Sequence, residues 1–445
     1  MNRRAFLGNL AAIGMTSLAS RHAAAEASGW QAGVASADIT PDTSLWMGGF
    51  AARTEPSQGT ARPLHAKALA LRAGSGAPAV LLTVDLLGVT AGISGRVARA
   101  LKQEHGVERA DLLINASHTH CGPVVDEQLS VAYDLSAGQW DQIRRYTQWL
   151  ERRLAGVAGE ALSRVRPARL AYGVGQAGFA ANRRVQFTPD GPVDRSVPVL
   201  QVEREEGDLL AIVFGYACHN TTLQASFVQY HPDYAGVAQA ALEQRHPGAV
   251  ALFVQGCGAD ANPKPRGTIE LVEAHGTALA DAVDRTLESV APVSPSLRTR
   301  YGVVELPFVD AAGRKAWLEQ LTIEQVYLQR YSRLMEGRRR ADGRLPAAQP
   351  DPIQTWRLGR DLAIVALGGE VVVDYALRLR GDYPDLRIWA AGYSNDVFGY
   401  VPSRRVLAEG GYEGGDAMVY YGRPAPFTPA VEDLIHAEVR RQLRP

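Results

Sequence analysis

Short apolar segments alternate with amphipathic segments from about residue 30 onward. Mostly apolar runs predict buried β-strands at residues 79–85, 110–115, 211–217, 250–255 and 362–367. Apolar positions at helical spacing predict helices at residues 92–104, 139–162, 235–245 and 269–287. This alternation predicts an α/β fold in which mixed β-sheets are flanked by helices in one large domain. Polar residues follow several of these strands, which places a functional site at the strand carboxyl ends.

The second half of the chain carries two irregular segments. Residues 311–340 are rich in Arg, Glu and Leu, and they predict a charged helix inserted before the sheet resumes at Trp356. The proline content of residues 346–352 predicts a loop. Polar motifs occur on both sides of these segments, so we expect both to be internal to a single domain, residues 26–445.

The amino terminus has the pattern of an export signal. Arg3 and Arg4 form a twin-arginine pair, followed by about ten weakly apolar residues and the small-residue run Ala23-Ala24-Ala25. The apolar segment of about ten residues is too short to span a membrane core, which needs about 20 residues. The pattern predicts a cleaved signal peptide at residues 1–25 and a periplasmic or secreted protein.

Charge and cysteine content narrow the function classes further. The chain has 47 basic and 47 acidic residues, and removal of Arg3, Arg4 and Arg21 with the leader leaves 44 against 47. This mildly acidic balance without a basic block argues against a nucleic-acid partner, and no later apolar run is long enough to span a membrane. Cys121, Cys218 and Cys257 form no CxxC pair, so we expect them mainly to pack in the interior.

Three motifs carry candidate metal chemistry. His118 and His120 lie two residues apart after a predicted strand and should point to one side, His219 ends a second strand, and Glu370 follows a third. Each alone is compatible with a structural role, as a surface histidine pair or a hydrogen-bonded core residue. Together, two histidines and one carboxylate are the composition of many catalytic zinc sites, and a buried carboxylate needs a partner.

The ordered motifs resemble the catalytic domain of the neutral (non-lysosomal) ceramidases. The resemblance extends from about residue 33 to 429 and rests on five stretches: His118-Thr119-His120-Cys121-Gly122-Pro123, His219, Asn182-Arg183, Gly369-Glu370, and the tyrosine-rich stretch with Gly392-Tyr393-Ser394-Asn395, Gly399-Tyr400-Val401 and Tyr412-Glu413-Gly414. The resemblance implies a Zn²⁺ ion held by His118, His219, Glu370 and Tyr400. It also implies catalytic roles for His120 and Tyr412 as proton donors and for Arg183 as a group that binds a substrate oxygen.

Two departures from the family pattern bear on mechanism and substrate. Asn262 stands where the family has a serine with an active-site role; an amide can donate a hydrogen bond but cannot act as a hydroxyl nucleophile. The family's C-terminal immunoglobulin-like domain is not expected either, because the chain ends at Pro445 soon after the tyrosine stretch. The resemblance therefore supports the reaction type more directly than the substrate.

The sequence predicts an exported zinc-dependent hydrolase that cleaves an amide (N-acyl) bond with zinc-activated water. The substrate would be a small molecule such as an N-acyl amide, a lipid or a sugar derivative. Two alternatives remain open at this point: a zinc hydrolase of an ester, lactone or glycosidic bond in a polar substrate, and a non-catalytic ligand-binding protein. The oligomeric state is not predicted.

Overall fold

The computed structural model describes residues 29–444. Its strands, in chain order, are β1 Trp30–Asp38, β2 His65–Ala73, β3 Ala79–Val84, β4 Leu112–Ala116, β5 Arg166–Gln176, β6 Ala180–Asn182, β7 Ser196–Arg204, β8 Leu209–Tyr216, β9 Val250–Gln255, β10 Ala261–Pro263, β11 Ala291–Pro292, β12 Leu297–Pro307, β13 Ala348–Leu358, β14 Leu362–Leu367, β15 Glu370–Val371, β16 Arg387–Ala391 and β17 Tyr400–Val401.

The α-helices are α1 Ala91–His105, α2 Ala137–Ser163, α3 Asp233–Arg245, α4 Ile269–Leu287, α5 Ala311–Gln320, α6 Gln325–Asp342, α7 Val373–Asp382, α8 Arg404–Glu409, α9 Gly411–Gly414 and α10 Ala430–Leu443. Local sequence accounts for several of their ends. The Thr90 hydroxyl accepts from Ile93 N at the start of α1, and Gly106 ends that helix with a φ of 71°. Ser136 and Gln139 form a capping box at the start of α2.

Two mixed sheets pack face to face. The first has the order β4-β3-β2-β1-β5-β7-β8-β9, with β11 paired to β5, and its β3/β4 and β8/β9 pairs are parallel. The second has the order β12-β13-β14-β16, with β14 and β16 parallel. Short two-stranded pairings, β6 with β10 and β15 with β17, complete the architecture.

Side-chain alternation divides the core into layers. In β14, Ile364 packs in the core between the two sheets, whereas Val365 belongs to the core shared with α7 and α10. In β8, Val213 faces the second sheet and Ile212 faces α3 and α4. The molecule is therefore a four-layer sandwich of helices, sheet, sheet and helices, as the period of two in its strands requires.

The first sheet curves until its two ends meet. Asn115, in β4, accepts a hydrogen bond from Gln255 N of β9 at 2.7 Å and donates to the Gly392 carbonyl at 2.8 Å. Gly392 directly follows β16 of the second sheet. The buried side-chain amide of Asn115 therefore joins β4 and β9, the two end strands of the first sheet, to the segment that follows β16. The segments that follow β4, β8 and β16 consequently meet at one place.

The predicted α/β class with mixed sheets flanked by helices is confirmed, and the strands predicted at 250–255 and 362–367 have the predicted bounds. Two predictions are wrong. Residues 311–340 form two helices, α5 and α6, because residues 321–324 between them are not helical. Residues 348–352 belong to β13: Pro350 and Pro352 are tolerated because the ladder with β14 begins only at Ile353, so neither proline has to donate a hydrogen bond to β14.

The export signal at residues 1–25 lies outside the described residues and stays a prediction. Within residues 29–444, no helix combines the length and apolar character required to cross a membrane.

Candidate metal centre and catalytic groups

The segments after β4 and β8 bring three histidines together. A parallel bridge between Thr119 and Asn220 joins the two segments, and His120 N donates to the Asn220 carbonyl at 3.4 Å. The spacing of His118 and His120 suggested an extended strand. His118 instead has a φ of 62°, so it lies beyond the end of β4 in a backbone conformation that is not extended. The two side chains of the His-x-His motif nevertheless converge, with Nε2 atoms 3.1 Å apart.

Glu370 and Tyr400 are direct register partners in the parallel pair β15/β17. Glu370 N donates to the Gly399 carbonyl at 2.8 Å, and Gly369 turns the chain after β14 with a φ of 71°. A short ladder therefore places a carboxylate and a phenol side by side, opposite the histidines.

The side-chain atoms of these residues converge on one small volume. Glu370 Oε2 lies 3.1 Å from His118 Nε2 and 3.2 Å from His219 Nε2. The Tyr400 hydroxyl lies 3.3 Å from His219 Nε2. His118, His219 and Glu370 are each at most 1% exposed, so water contributes little to neutralising this cluster. The structure thus assembles all four predicted ligands, His118, His219, Glu370 and Tyr400.

The histidine tautomers show that the cluster fits a metal ion. His118 Nδ1 faces the Leu87 carbonyl at 2.6 Å and His219 Nδ1 faces the Gly258 carbonyl at 2.9 Å. A carbonyl only accepts, so the proton is assigned to each Nδ1, and each Nε2 presents a lone pair to the buried carboxylate. Lone pairs and a carboxylate repel one another unless a proton or a metal ion lies between them. The nitrogen atoms of His118, His120 and His219, all within 4.8 Å of one another, form a group able to hold that cation.

The electrostatics favour this arrangement. Burial, with the nearby positive charge of Arg183, lowers the pKa of His219 to about 4, so its imidazole is neutral at pH 7. Burial alone would raise the pKa of Glu370, but coulombic attraction to His118 and hydrogen bonds with His118 and His219 outweigh burial and hold that pKa well below its usual value. Neutral imidazole and ionised carboxylate are the forms that bind metal.

The four predicted catalytic residues border this cluster. Arg183 Nη2 donates to the Tyr400 hydroxyl at 2.8 Å, and the Tyr412 ring lies 5.3 Å from the Tyr400 ring. Asn262 is in β10, which pairs with β6 just before Arg183. The Thr221 hydroxyl donates to Asn262 Oδ1 at 3.3 Å, which leaves the Nδ2 group as the available donor. The remaining predicted residue, His120, adjoins His118.

The residues that hold His120 in place are not marked by any of the sequence motifs. Gly49, with a φ of +99°, lies under the imidazole, and the Phe50 ring packs against it at 4.7 Å. The buried Arg53 donates to the carbonyls of Gly48 and His120 at 2.7 and 2.6 Å. No local pattern marks this segment as functional, because its role depends on contact with a residue about 70 positions away.

Three partners of the predicted residues were not predicted either. The Tyr393 hydroxyl donates to Glu370 Oε2 at 3.3 Å, and the Tyr421 hydroxyl donates to Glu370 Oε1. Glu413 accepts from Arg183 Nε at 2.6 Å and thereby orients the guanidinium. Tyr393 and Glu413 lie inside the tyrosine-rich stretch that carries part of the family resemblance. Their position in that stretch is the sequence feature that could have indicated a role in the site.

All three cysteines are buried and free, which confirms the packing role expected from the sequence. Burial raises the pKa of the Cys121 thiol to about 12. A thiol in this environment is neutral at pH 7 and is a poor nucleophile.

Comparisons with known proteins agree with this site. The sequence model for the N-terminal part of neutral/alkaline non-lysosomal ceramidases matches residues 30–271, a range that includes His118, His120, Arg183, His219 and Asn262. A search of curated proteins finds no match. Among solved structures, neutral ceramidase from Pseudomonas aeruginosa shares 19% identity over 94% of this chain and 75% of its own, with a TM-score of 0.71.

A ceramidase complexed with C2 shares 19% identity over 93% of this chain and 76% of its own, with a TM-score of 0.73. At these identities the structures establish a shared fold, and the family match covers more than half of the chain. The chain is thus a ceramidase-like hydrolase by family, and it belongs to the neutral/alkaline non-lysosomal ceramidases.

Proposed function

We propose that this protein is an exported, zinc-dependent hydrolase that cleaves an amide (N-acyl) bond with water as the nucleophile. The observation that carries the proposal is the convergence of His118 Nε2 and His219 Nε2 on Glu370 Oε2, at 3.1 and 3.2 Å, in a buried site. Imidazole nitrogen and carboxylate oxygen are the donor set of catalytic zinc sites. When bound, the ion supplies Lewis acidity and makes water nucleophilic at neutral pH.

The protein's own residues divide the remaining tasks. His120 is 9% exposed, and its Nε2, 3.1 Å from His118 Nε2, faces the metal-ligand cluster, where it is placed to accept a proton and return it to the leaving amine. Tyr412, which is 43% exposed, presents a hydroxyl donor at the mouth of the site. The Asn262 amide offers a further donor for an oxygen that gains negative charge.

Arg183 couples these groups to the metal ligands. Its guanidinium is held by Glu413 and donates to the Tyr400 hydroxyl, which keeps the phenolic oxygen in the orientation of an acceptor. A substrate carbonyl oxygen that replaced part of this contact would meet a planar, permanently charged donor. No step needs a serine nucleophile, in agreement with the asparagine at position 262.

Metal analysis together with an activity panel tests the proposal. Protein purified without chelator should contain about one zinc ion per chain, and it should hydrolyse N-acyl amides faster than matched esters and glycosides. His118→Ala should lose both the metal and turnover, whereas His246→Ala, a histidine paired with Asp284 away from the site, should lose neither. Activity that persists in metal-free protein would contradict the proposed metal dependence. Hydrolysis of esters or glycosides alone would contradict the proposed specificity for amide bonds.

Export rests on the twin-arginine pattern and has its own test. Replacement of Arg3 and Arg4 by lysine should retain the enzyme in the cytoplasm, because the transport machinery reads that pair. Cell fractionation measures this, and an unchanged distribution of the variant would contradict it.

A further inference from the structure

The buried metal centre reaches solvent beside Tyr412. His118, His219 and Glu370 are at most 1% exposed, whereas Tyr412, 5.3 Å from Tyr400 between ring centroids, is 43% exposed. The mouth of the site therefore lies at this tyrosine, and the residues around it decide which substrates enter.

One side of this mouth is polar. The Arg183 side chain is 21% exposed and lies within 5.8 Å of the Tyr412 ring centroid. Asn262 and Thr221 continue this side with an amide and a hydroxyl. Such a surface suits the polar amine part of an amide substrate. Each substrate donor or acceptor that loses a hydrogen bond to water there can form one with the protein instead.

The other side is aromatic and is completed by the helical hairpin α5–α6. The Tyr420 ring lies 6.1 Å from the Tyr412 ring, and the Tyr327 ring of α6 lies 5.3 Å from Tyr420. The Tyr327 hydroxyl donates to the Ala51 carbonyl at 3.3 Å, next to Phe50, whose ring packs against His120. Tyr327 thus connects Tyr420, on the aromatic side of the mouth, to the segment of Phe50 and Ala51 that supports His120.

Several contacts fix the position of this hairpin. Tyr331, one helical turn beyond Tyr327, is 1% exposed and donates to the Pro424 carbonyl at 2.9 Å. Arg330 forms an ion pair with Asp134 at 3.1 Å. Because both sides of the helix are anchored, the Tyr327 ring cannot leave the mouth without loss of packed contacts.

We propose that Tyr327 is a specificity-determining residue that closes the acyl side of the site and selects N-acyl amides with short acyl groups. This inference rests on the proposed amide hydrolysis. An acyl group bound along the aromatic side extends from the metal centre between Phe50 and Tyr420, and the Tyr327 ring crosses that path. A short acyl group ends before the ring, whereas a long chain must displace it and break its contacts.

The test is a series of N-acyl amides with one amine and acyl groups from acetyl to palmitoyl. In the wild-type protein, kcat/KM should fall by about tenfold or more between short and long acyl groups. Tyr327→Ala should raise kcat/KM for the long substrates by about tenfold and change the short ones by less than about twofold. Tyr327→Phe keeps the ring and should keep the short-chain preference.

Arg333→Ala, an exposed change on the same helix, is the matched control and should leave the profile unchanged. Thermal unfolding of each variant verifies that it is folded. Hydrolysis at equal rates for all chain lengths, or an unchanged preference in folded Tyr327→Ala, would overturn this assignment alone. A lack of amide hydrolysis in the metal-loaded wild type would overturn the proposed function, and this assignment with it.

Discussion

The imidazole of His120 rests directly on the backbone of Gly49. A Cβ atom at position 49 would lie 2.4 Å from His120 Nδ1, closer than any normal contact between heavy atoms. Gly49 also has a φ of +99°, which side-chain-bearing residues rarely adopt. The position of a proposed catalytic imidazole therefore depends on the absence of a side chain about 70 residues earlier in the sequence.

Gly49→Ala should displace His120 and lower kcat by about 100-fold, because removal of a positioned acid–base group costs two or more orders of magnitude. Bound metal should be retained, since the proposed ligands His118, His219 and Glu370 are not displaced. The matched control is Gly59→Ala: Gly59 has a φ of +124°, but a Cβ there meets no atom within 4 Å. Equal loss of activity in both variants would assign the effect to backbone strain.

Arg183→Lys should lower kcat by about tenfold to 100-fold, with a smaller change in KM. A lysine keeps the charge but lacks the fork that joins the Tyr400 hydroxyl to Glu413. Steady-state kinetics measure the split between the two constants. Arg378→Lys, a change in a surface ion pair with Glu432, should have no effect, and unchanged kinetics in Arg183→Lys would contradict the coupling described above.

Asn262 should act as a hydrogen-bond donor and never as a nucleophile. Asn262→Ala should lower kcat by about tenfold or more, because one donor to the developing oxyanion is lost. Asn262→Ser, which restores a shorter donor, should recover part of the loss. Mass spectrometry of rapidly quenched reactions should show only unmodified protein; an acylated form of the enzyme would contradict direct attack by water.

Asp351 should destabilise the fold at neutral pH. It is fully buried, and neither carboxyl oxygen makes a hydrogen bond of normal geometry within residues 29–444. Burial and the charge of Asp396 raise the pKa of Asp351 well above the unfolded value of 3.8. Above pH 4 the unfolded chain releases this proton while the folded chain retains it, so stability decreases as the pH rises.

Asp351→Asn cannot titrate and should raise the free energy of unfolding at pH 7 by about 1–3 kcal/mol. The gain should shrink toward zero near pH 4, where the wild-type carboxyl is protonated in both states. Urea unfolding across pH 4–8 measures this, with the exposed Asp385→Asn as control. A gain that is independent of pH would show that the carboxyl of Asp351 is not the cause.

Much of this site could be predicted from the sequence because its residues lie in local motifs at the ends of apolar strands. His118, His219 and Glu370 each follow such a strand, and the curvature of the first sheet then brings their segments together. The support of His120 by Gly49 could not be predicted, since it arises from tertiary contact. The strand around Pro350 was also missed, because proline content does not show that β14 pairs with only part of β13.

The central claim is that His118, His219, Glu370 and Tyr400 hold a zinc ion. X-ray diffraction data collected on either side of the zinc absorption edge, from crystals of protein purified without chelator, test it most directly. The account predicts one anomalous peak about 2.0–2.2 Å from His118 Nε2, His219 Nε2 and a Glu370 oxygen, on the side of the Tyr400 hydroxyl. Zinc-soaked crystals with no peak at this position would contradict it.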